Sequence, residues 1–245
     1  MYEKSKIKVL IDPGHGPGNR NKGPNGYYEH EGMWSLSVHL RDILCSYDGI
    51  TASLTRRRDE DPALDVRGGM TRGYDLFISQ HSNASSNDAA RGVECFYSSN
   101  QPNNAYIAAV LALEVSKLMG NPNRGAKIKL GANGRDYFGV IRSAAAAGCP
   151  HVFLMENGFH DNPLDEAFLL DDNNLRAIAL KQAYVIFDVL LAGQPKKGRK
   201  PSPWAMAAWD WAVLNKITDG TNPQGMPTRE QVVQLIYNYH KQHSF

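Results

Sequence analysis

Cysteine is scarce in this chain of 245 residues: Cys45, Cys95 and Cys149 are odd in number, far apart and form no C-x-x-C pair. That excludes a disulfide framework and a cysteine-rich metal site, and leaves small buried thiols in a protein made in a reducing compartment. No apolar run approaches the roughly 18 residues of a membrane span. No charged, then apolar, then small pattern opens the chain, so the expectation is synthesis in the cytoplasm without a signal peptide. Charge of one sign is also lacking, since 27 Lys and Arg against 25 Asp and Glu give a net charge of +2. With no basic stripe interleaved with aromatics, nucleic acid is not an expected partner. What is present is ordinary globular material, 42% hydrophobic and 21% charged. It suffices for one sizeable domain, or one domain and a small appendage.

Six short apolar, β-branched runs stand out at 8–12, 50–55, 75–80, 93–97, 138–142 and 152–156. Several are apolar throughout, as strands covered on both faces should be. Between them lie helical spacings. Met33, Leu36, Leu40 and Leu44 form one apolar stripe; Ile107, Val110, Leu111, Leu113, Val115 and Leu118 form another, closed by Gly120. Leu175, Ile178, Leu180, Ala183, Ile186 and Leu190 form a third, ending at Gly193. The alternation predicts an α/β domain over 1–192: an open, mostly parallel, twisted six-stranded sheet with helices on both faces.

Composition then changes. The stretch 193–203, GQPKKGRKPSP, holds three prolines, two glycines and four basic residues and reads as a linker. Beyond it, 204–245 is predicted to be a small all-α module. Trp204, Ala208, Trp211 and Leu214 share one face of its first helix, and Thr228 with Gln231 has capping-box spacing before a second. It is too short to be stable without help from the main domain, a second copy or a ligand.

Open parallel sheets bind ligands at the carboxyl ends of their strands. At that edge the first run leads through Asp12-Pro13-Gly14 to His15, the third ends at His81 and the sixth at Glu156. A lone histidine at a strand end is usually a hydrogen-bonded loop residue, but three such groups at one edge are harder to explain that way. The Gly/Pro/Asn-rich loop after the first strand enters the first helix through Glu29, His30 and Glu31. Glu31 reads as a helix-start acid favoured by the dipole; Glu29 falls beside His15 and His81. Two imidazoles and one carboxylate are the ligand set of a catalytic zinc site, and a glutamate near the metal but not bound to it suits a proton carrier. Spacing alone points to a metallohydrolase.

The segments VLIDPGHG, YYEHEGMWSL, DLFISQHSNAS, RGVECFY and VFLMENGFHDNPLDEAFLL resemble, in order and spacing, the zinc-dependent N-acetylmuramoyl-L-alanine amidases of the Amidase_3 type. The resemblance runs over 7–191. It implies Zn2+ held by His15, Glu29 and His81, with Glu156 of the ENGF motif as the catalytic residue; Glu29 with Trp34 fits the second motif better than Glu31 with Leu36. It departs in the Gly-Pro-Gly after His15, where many relatives have two glycines and an Asp-Pro, and in Met33, where many have a polar residue. The implied reaction is hydrolysis of the amide between N-acetylmuramic acid and the L-alanine of the peptidoglycan stem. His30, His39, His151 and His160 rank lower as ligands: His39 falls on a helix and His151 opens a strand, which suits surface or packing roles. His160 and Asn157 are candidates for lining the cleft, and Arg56-Arg57-Arg58 reads as a solvated turn. GPGNRNKG is not a phosphate loop, lacking the Gly-Lys-Ser/Thr end.

The tail WAVLNKITDGTNPQGMPTREQVVQLIYNY resembles a surface-layer-homology unit, which implies wall binding, with association of copies through the tail as a further expectation. The combined expectation is an endolysin-type peptidoglycan amidase that acts on the cell wall after release. The rivals are a zinc peptidase or de-N-acetylase on the same polymer, and a non-catalytic wall-binding protein.

Overall fold

The structure, a computed structural model, describes residues 7–47 and 49–191. Six strands, β1 (Ile7–Pro13), β2 (Ile50–Leu54), β3 (Leu76–Asn83), β4 (Val93–Tyr97), β5 (Asn123–Lys127) and β6 (His151–Phe159), form one sheet in the order β2-β1-β3-β6-β4-β5. Only the β4–β6 pair is antiparallel. Around it lie α1 (Glu29–Cys45), α2 (Leu64–Gly69), α3 (Ala105–Met119), α4 (Gly139–Ala146), α5 (Pro163–Leu169) and α6 (Asp172–Leu191). The mostly parallel α/β sheet expected from the sequence is present. The linker 193–203 and the module 204–245 lie outside the described residues.

The central strands carry the core. Val9, Leu10, Ile11, Leu76, Phe77, Ile78, Val152 and Phe153 are wholly buried, as continuous apolar runs with helices on both faces must be. Met33, Leu36, Leu40 and Leu44 give α1 its buried stripe against β1, β2 and β3. Helix α3 buries Ile107, Leu111 and Val115 and stops at Gly120, which adopts φ 60°. On the other face Val140, Ile141 and Ala144 of α4 pack with Leu10, Phe77, Phe96, Val152 and Leu154.

Two expectations are corrected. The run 138–142 is not a strand: Phe138 precedes α4 and the remaining residues begin it. An apolar run this short fits either period, and Val140, Ile141 and Ala144 satisfy the helical one against the core. The fifth strand is instead Asn123–Lys127, a polar edge segment without apolar periodicity. The strand ends also move. β3 and β6 continue to Asn83 and Phe159, so His81 and Glu156 sit within the strands rather than at their ends. The antiparallel β4 extends the ladder, pairing Val93 with Asn157 and Glu94 with Glu156.

Helix α5 starts with Asn162 capping the backbone N–H groups of Leu164 and Asp165, followed by Pro163 in the first turn. Its first-turn acids are buried rather than solvated. Glu166 accepts from the Asn25 backbone N–H (2.8 Å), the Asn25 amide (2.7 Å) and the Tyr27 N–H (3.3 Å), closing the irregular loop that delivers α1. Gly23 fits there because a Cβ would stand 2.2 Å from the Glu166 carboxylate. Glu166→Ala leaves those donors unmatched and is expected to cost about 2 kcal/mol. Limited trypsinolysis should then cut after Arg20 or Lys22, both exposed, where the parent resists.

Candidate functional site

The side-chain period of two places Asp12, Ser79, His81, Leu154 and Glu156 on the α4 face of the sheet, and Asp12, His81, Leu154 and Glu156 line a cleft of about 580 Å³ there. The base of this cleft is Asp12, 1% exposed. It accepts from Thr55 Oγ1 at 2.5 Å, Ser79 Oγ at 2.6 Å and Arg67 Nη1 at 3.2 Å. Arg67, equally buried, also donates to the carbonyls of Pro13 (2.9 Å), His15 (2.9 Å) and Pro62 (2.8 Å) and to Asp61 (2.5 Å). Arg56 donates to the carbonyls of Pro13, Gly14 and His30 and lies 5.2 Å from the Trp34 ring. The expectation of a solvated Arg56 turn is therefore corrected. Arg57 and Arg58 are exposed, but Arg56 is drawn inward by the backbone carbonyls of Pro13, Gly14 and His30. Burial, then the charge of Arg67, pulls its pKa down to about 10, against Asp12 and Asp61, which still leaves it charged at neutral pH.

These contacts shape the turn that carries His15. His15 has φ 58°, alone among the described non-glycine residues in being positive, a conformation that needs surrounding support. At Gly14 a Cβ would stand 2.4 Å from the Gln80 carbonyl and 2.6 Å from the His81 ring, so only glycine lets the turn lie against β3. The rings of His15 and His81 meet edge to face, 4.9 Å between centroids.

Glu29, the first residue of α1 and 1% exposed, joins them. Its Oε2 lies 3.1 Å from His15 Nε2 and its Oε1 3.0 Å from His81 Nδ1. Oε1 also accepts from the Ser82 N–H and Oε2 from the Asn21 amide. Burial works to raise its pKa, but the hydrogen bonds from His15 and His81, with their charges, outweigh it and hold the carboxyl well below its ordinary range. The three residues offer ligand atoms within 4.8 Å of one another. Two nitrogens and an ionised carboxylate at that spacing suit a borderline cation such as zinc.

Glu156 of β6 stands opposite His81 of β3 and opposite Glu94 of β4. It is 8% exposed, and its Oε2 has no hydrogen-bond partner. Burial first, then the charges of Glu29 and Glu94, push its carboxyl well above the ordinary range, with Lys129 opposing. Glu94 is instead held ionised by Arg124 (2.7 Å), Lys127 and the Asn83 amide.

The structure thus gathers His15, Glu29, His81 and Glu156 in one cleft. Glu31 is exposed. His160 lines the cleft, 2% exposed, with Nδ1 2.9 Å from Ser82 Oγ. Asn157 does not: its amide lies behind the strands, bonded to Gln80, Gln182 and the His81 carbonyl. His39 pairs with Asp172 and His151 with Asn104. Arg67, Glu94 and Glu166 were not legible as site residues. Each is a charged residue, and only the pairing of distant segments shows what it is buried against.

Removing one partner of a buried ion pair strands the other. Arg67→Ala is expected to destabilise the fold by about 3–5 kcal/mol, with Arg67→Lys intermediate because it keeps the charge without the fork; urea unfolding measures both. Glu156 has the opposite sign. A carboxyl whose folded pKa is raised penalises folding above its unfolded pKa and not below it. Glu156→Gln is expected to raise the Tm of the metal-free protein by about a few degrees near pH 7.5. That gain should fade toward about pH 4, as both states become protonated; calorimetry across this range reads the trend.

Residues 9–187 match the N-acetylmuramoyl-L-alanine amidase family, Amidase_3. The N-acetylmuramoyl-L-alanine amidase CwlM of Bacillus licheniformis is 29% identical over 178 residues, covering 71% of this chain and 64% of that protein. The sporulation-specific N-acetylmuramoyl-L-alanine amidase of Bacillus subtilis has the same identity and coverage. The chain therefore spans 64% of the length of these curated relatives. The catalytic domain of CwlV from Bacillus (Paenibacillus) polymyxa var. colistinus superposes with a TM-score of 0.65 at 25% identity, over 75% of this chain and 98% of that one. AmiC2 of Nostoc punctiforme gives 0.66 at 25%, over 77% and 99%. With the family match running over most of its length, this chain belongs to the N-acetylmuramoyl-L-alanine amidase family.

Proposed function

We propose that the chain is a zinc-dependent hydrolase that cleaves the amide between N-acetylmuramic acid and the L-alanine of the peptidoglycan stem. The carrying observation is the convergence of His15 Nε2, the Glu29 carboxylate and His81 Nδ1 in one cleft with the unpartnered Glu156 Oε2. His15, Glu29 and His81 would hold the metal. Bound zinc supplies Lewis acidity, polarising the scissile carbonyl and acidifying water.

The chain's own residues do the rest. Glu156 Oε2, with no other partner, accepts a proton from the attacking water and returns it to the leaving alanine nitrogen. Its burial beside the charges of Glu29 and Glu94 favours the protonated form needed for the second step. Asp12, Arg67 and Arg56 hold the His15 turn, and the Ser82 N–H fixes one oxygen of Glu29. The wall-binding module at 204–245, its linker and an endolysin-type role after release from the cytoplasm extend the proposal; the tail motifs support them, and association of copies through the tail goes with them.

Digestion of purified cell wall followed by mass spectrometry tests the reaction. Free stem peptides beginning with alanine are expected; cleavage within the stem or deacetylated sugar sinks the reading in favour of a peptidase or a de-N-acetylase. Glu156→Gln should lower kcat by about 10²–10⁴. Chelation should abolish turnover and added zinc restore it. Lysis by Glu156→Gln equal to the parent's would favour the non-catalytic wall-binding reading.

A further inference from the structure

The cleft is lined by two kinds of residue: Asn21, Asn83 and His160 are polar, while Pro62, Ala63, Leu64, Phe138 and Val140 make up an apolar part. The apolar part continues onto a short hairpin, in which the Tyr137 N–H donates to the Lys129 carbonyl at 2.8 Å and Leu130 bridges Asp136. Leu130 is 52% exposed, Tyr137 54% and Leu64 54%. Exposed apolar groups gathered at the mouth of a cleft mark a binding surface more often than scattered ones do. Phe138, which joins hairpin to cleft, is fixed by its ring contact with Phe96 at 4.8 Å.

One cation is held at this rim. Lys129 Nζ lies 4.1 Å from the Tyr137 ring centroid and 5.5 Å from that of Phe138, a cation–π placement that fixes the ammonium. Lys127 is paired with Glu94, whereas among the described residues no carboxylate lies within ion-pair distance of Lys129. Phe138, one of the two rings beside it, lines the same cleft as Glu156.

We propose that the Lys129–Tyr137–Phe138 rim is the stem-peptide subsite, and that the Lys129 ammonium contacts the carboxylate of the residue following L-alanine. The inference rests on the amidase reading. The carboxylates of the substrate all lie on its peptide half, so a rim that offers an unpaired cation beside aromatic rings suits that half. The sugar, with its hydroxyls and acetamido group, is left to the polar lining of Asn21, Asn83 and His160. In peptidoglycan the residue after L-alanine is a γ-linked D-glutamyl unit whose α-carboxyl is free or amidated. That carboxyl lies about 6 Å along an extended chain from the scissile nitrogen. A lysine at the rim therefore distinguishes the acid from the amide, while the Tyr137 face takes either.

The test uses full-length, zinc-loaded Glu156→Gln protein and calorimetric binding of two ligands, N-acetylmuramoyl-L-alanyl-D-isoglutamate and its isoglutamine counterpart. The acid should bind about fivefold tighter, the scale of an exposed ion pair, and the ratio should shrink at about 0.5 M salt. Adding Lys129→Met should bring the ratio to about one. Equal binding before the lysine is changed, or a ratio that survives Lys129→Met, overturns the subsite. Turnover of both ligands by the parent protein separates the two readings. A binding preference without cleavage removes the amidase reading alone, and cleavage without preference removes the subsite alone.

Discussion

The buried pair of Asp12 and Arg67 is the constraint on which the rest of the cleft depends. Two ions removed from water are stable only when their remaining donors and lone pairs are also met, and here they are. Thr55 and Ser79 complete Asp12; the carbonyls of Pro13, His15 and Pro62, with Asp61, complete Arg67. The pair thereby ties β1, the end of β2, β3 and α2 at one point. Because the same guanidinium takes the carbonyls of Pro13 and His15, the position of the His15 ring is set by the pair rather than by the local backbone, whose φ of 58° is unfavourable by itself.

Three neighbouring carboxylates have different electrostatic fates. Glu29 is held ionised by two imidazoles, and Glu94 by Arg124 and Lys127. Glu156 has neither, and lies between the other two in low dielectric. Environments that push neighbouring carboxyls apart are how one site obtains both an anionic ligand and a proton carrier. The contrast does not come from residue type, since all three are glutamates.

The outer parts of the cleft are positioned from far away in sequence. Glu166 of α5 closes the loop that presents Asn21 and Glu29, and Asp165 accepts from Arg91, the Gly92 N–H and the Phe159 N–H. Helix α2 meets α4 where Gly68 has no room for a side chain: a Cβ would stand 2.5 Å from Ser143. That close crossing brings Leu64 beside Gly139, so one helix supplies both the Arg67 anchor and part of the apolar wall.

How much of this was legible in the chain follows from which signals are local. The buried stripe of α1 and the apolar runs of β1, β3 and β6 are periodic, so their elements could be read directly, and the Asp12-Pro13-Gly14 break marked the edge at which His15 stands. Candidate ligands could be named because motif and strand-end position coincide. The edge strand β5, with no apolar period, could not be read, and the short run at 138–142 was read with the wrong period. Nor could the burial of Arg56 and Arg67, or the raised carboxyl of Glu156 beside a lowered Glu29. By itself the sequence determined the central strands, the long helices and the residue types of the cleft, since these follow from side-chain periodicity and chemistry within a few residues. Only the tertiary structure decided which charges lie buried together and which carboxyl is left without a partner, because desolvation and pairing depend on segments that meet through the fold.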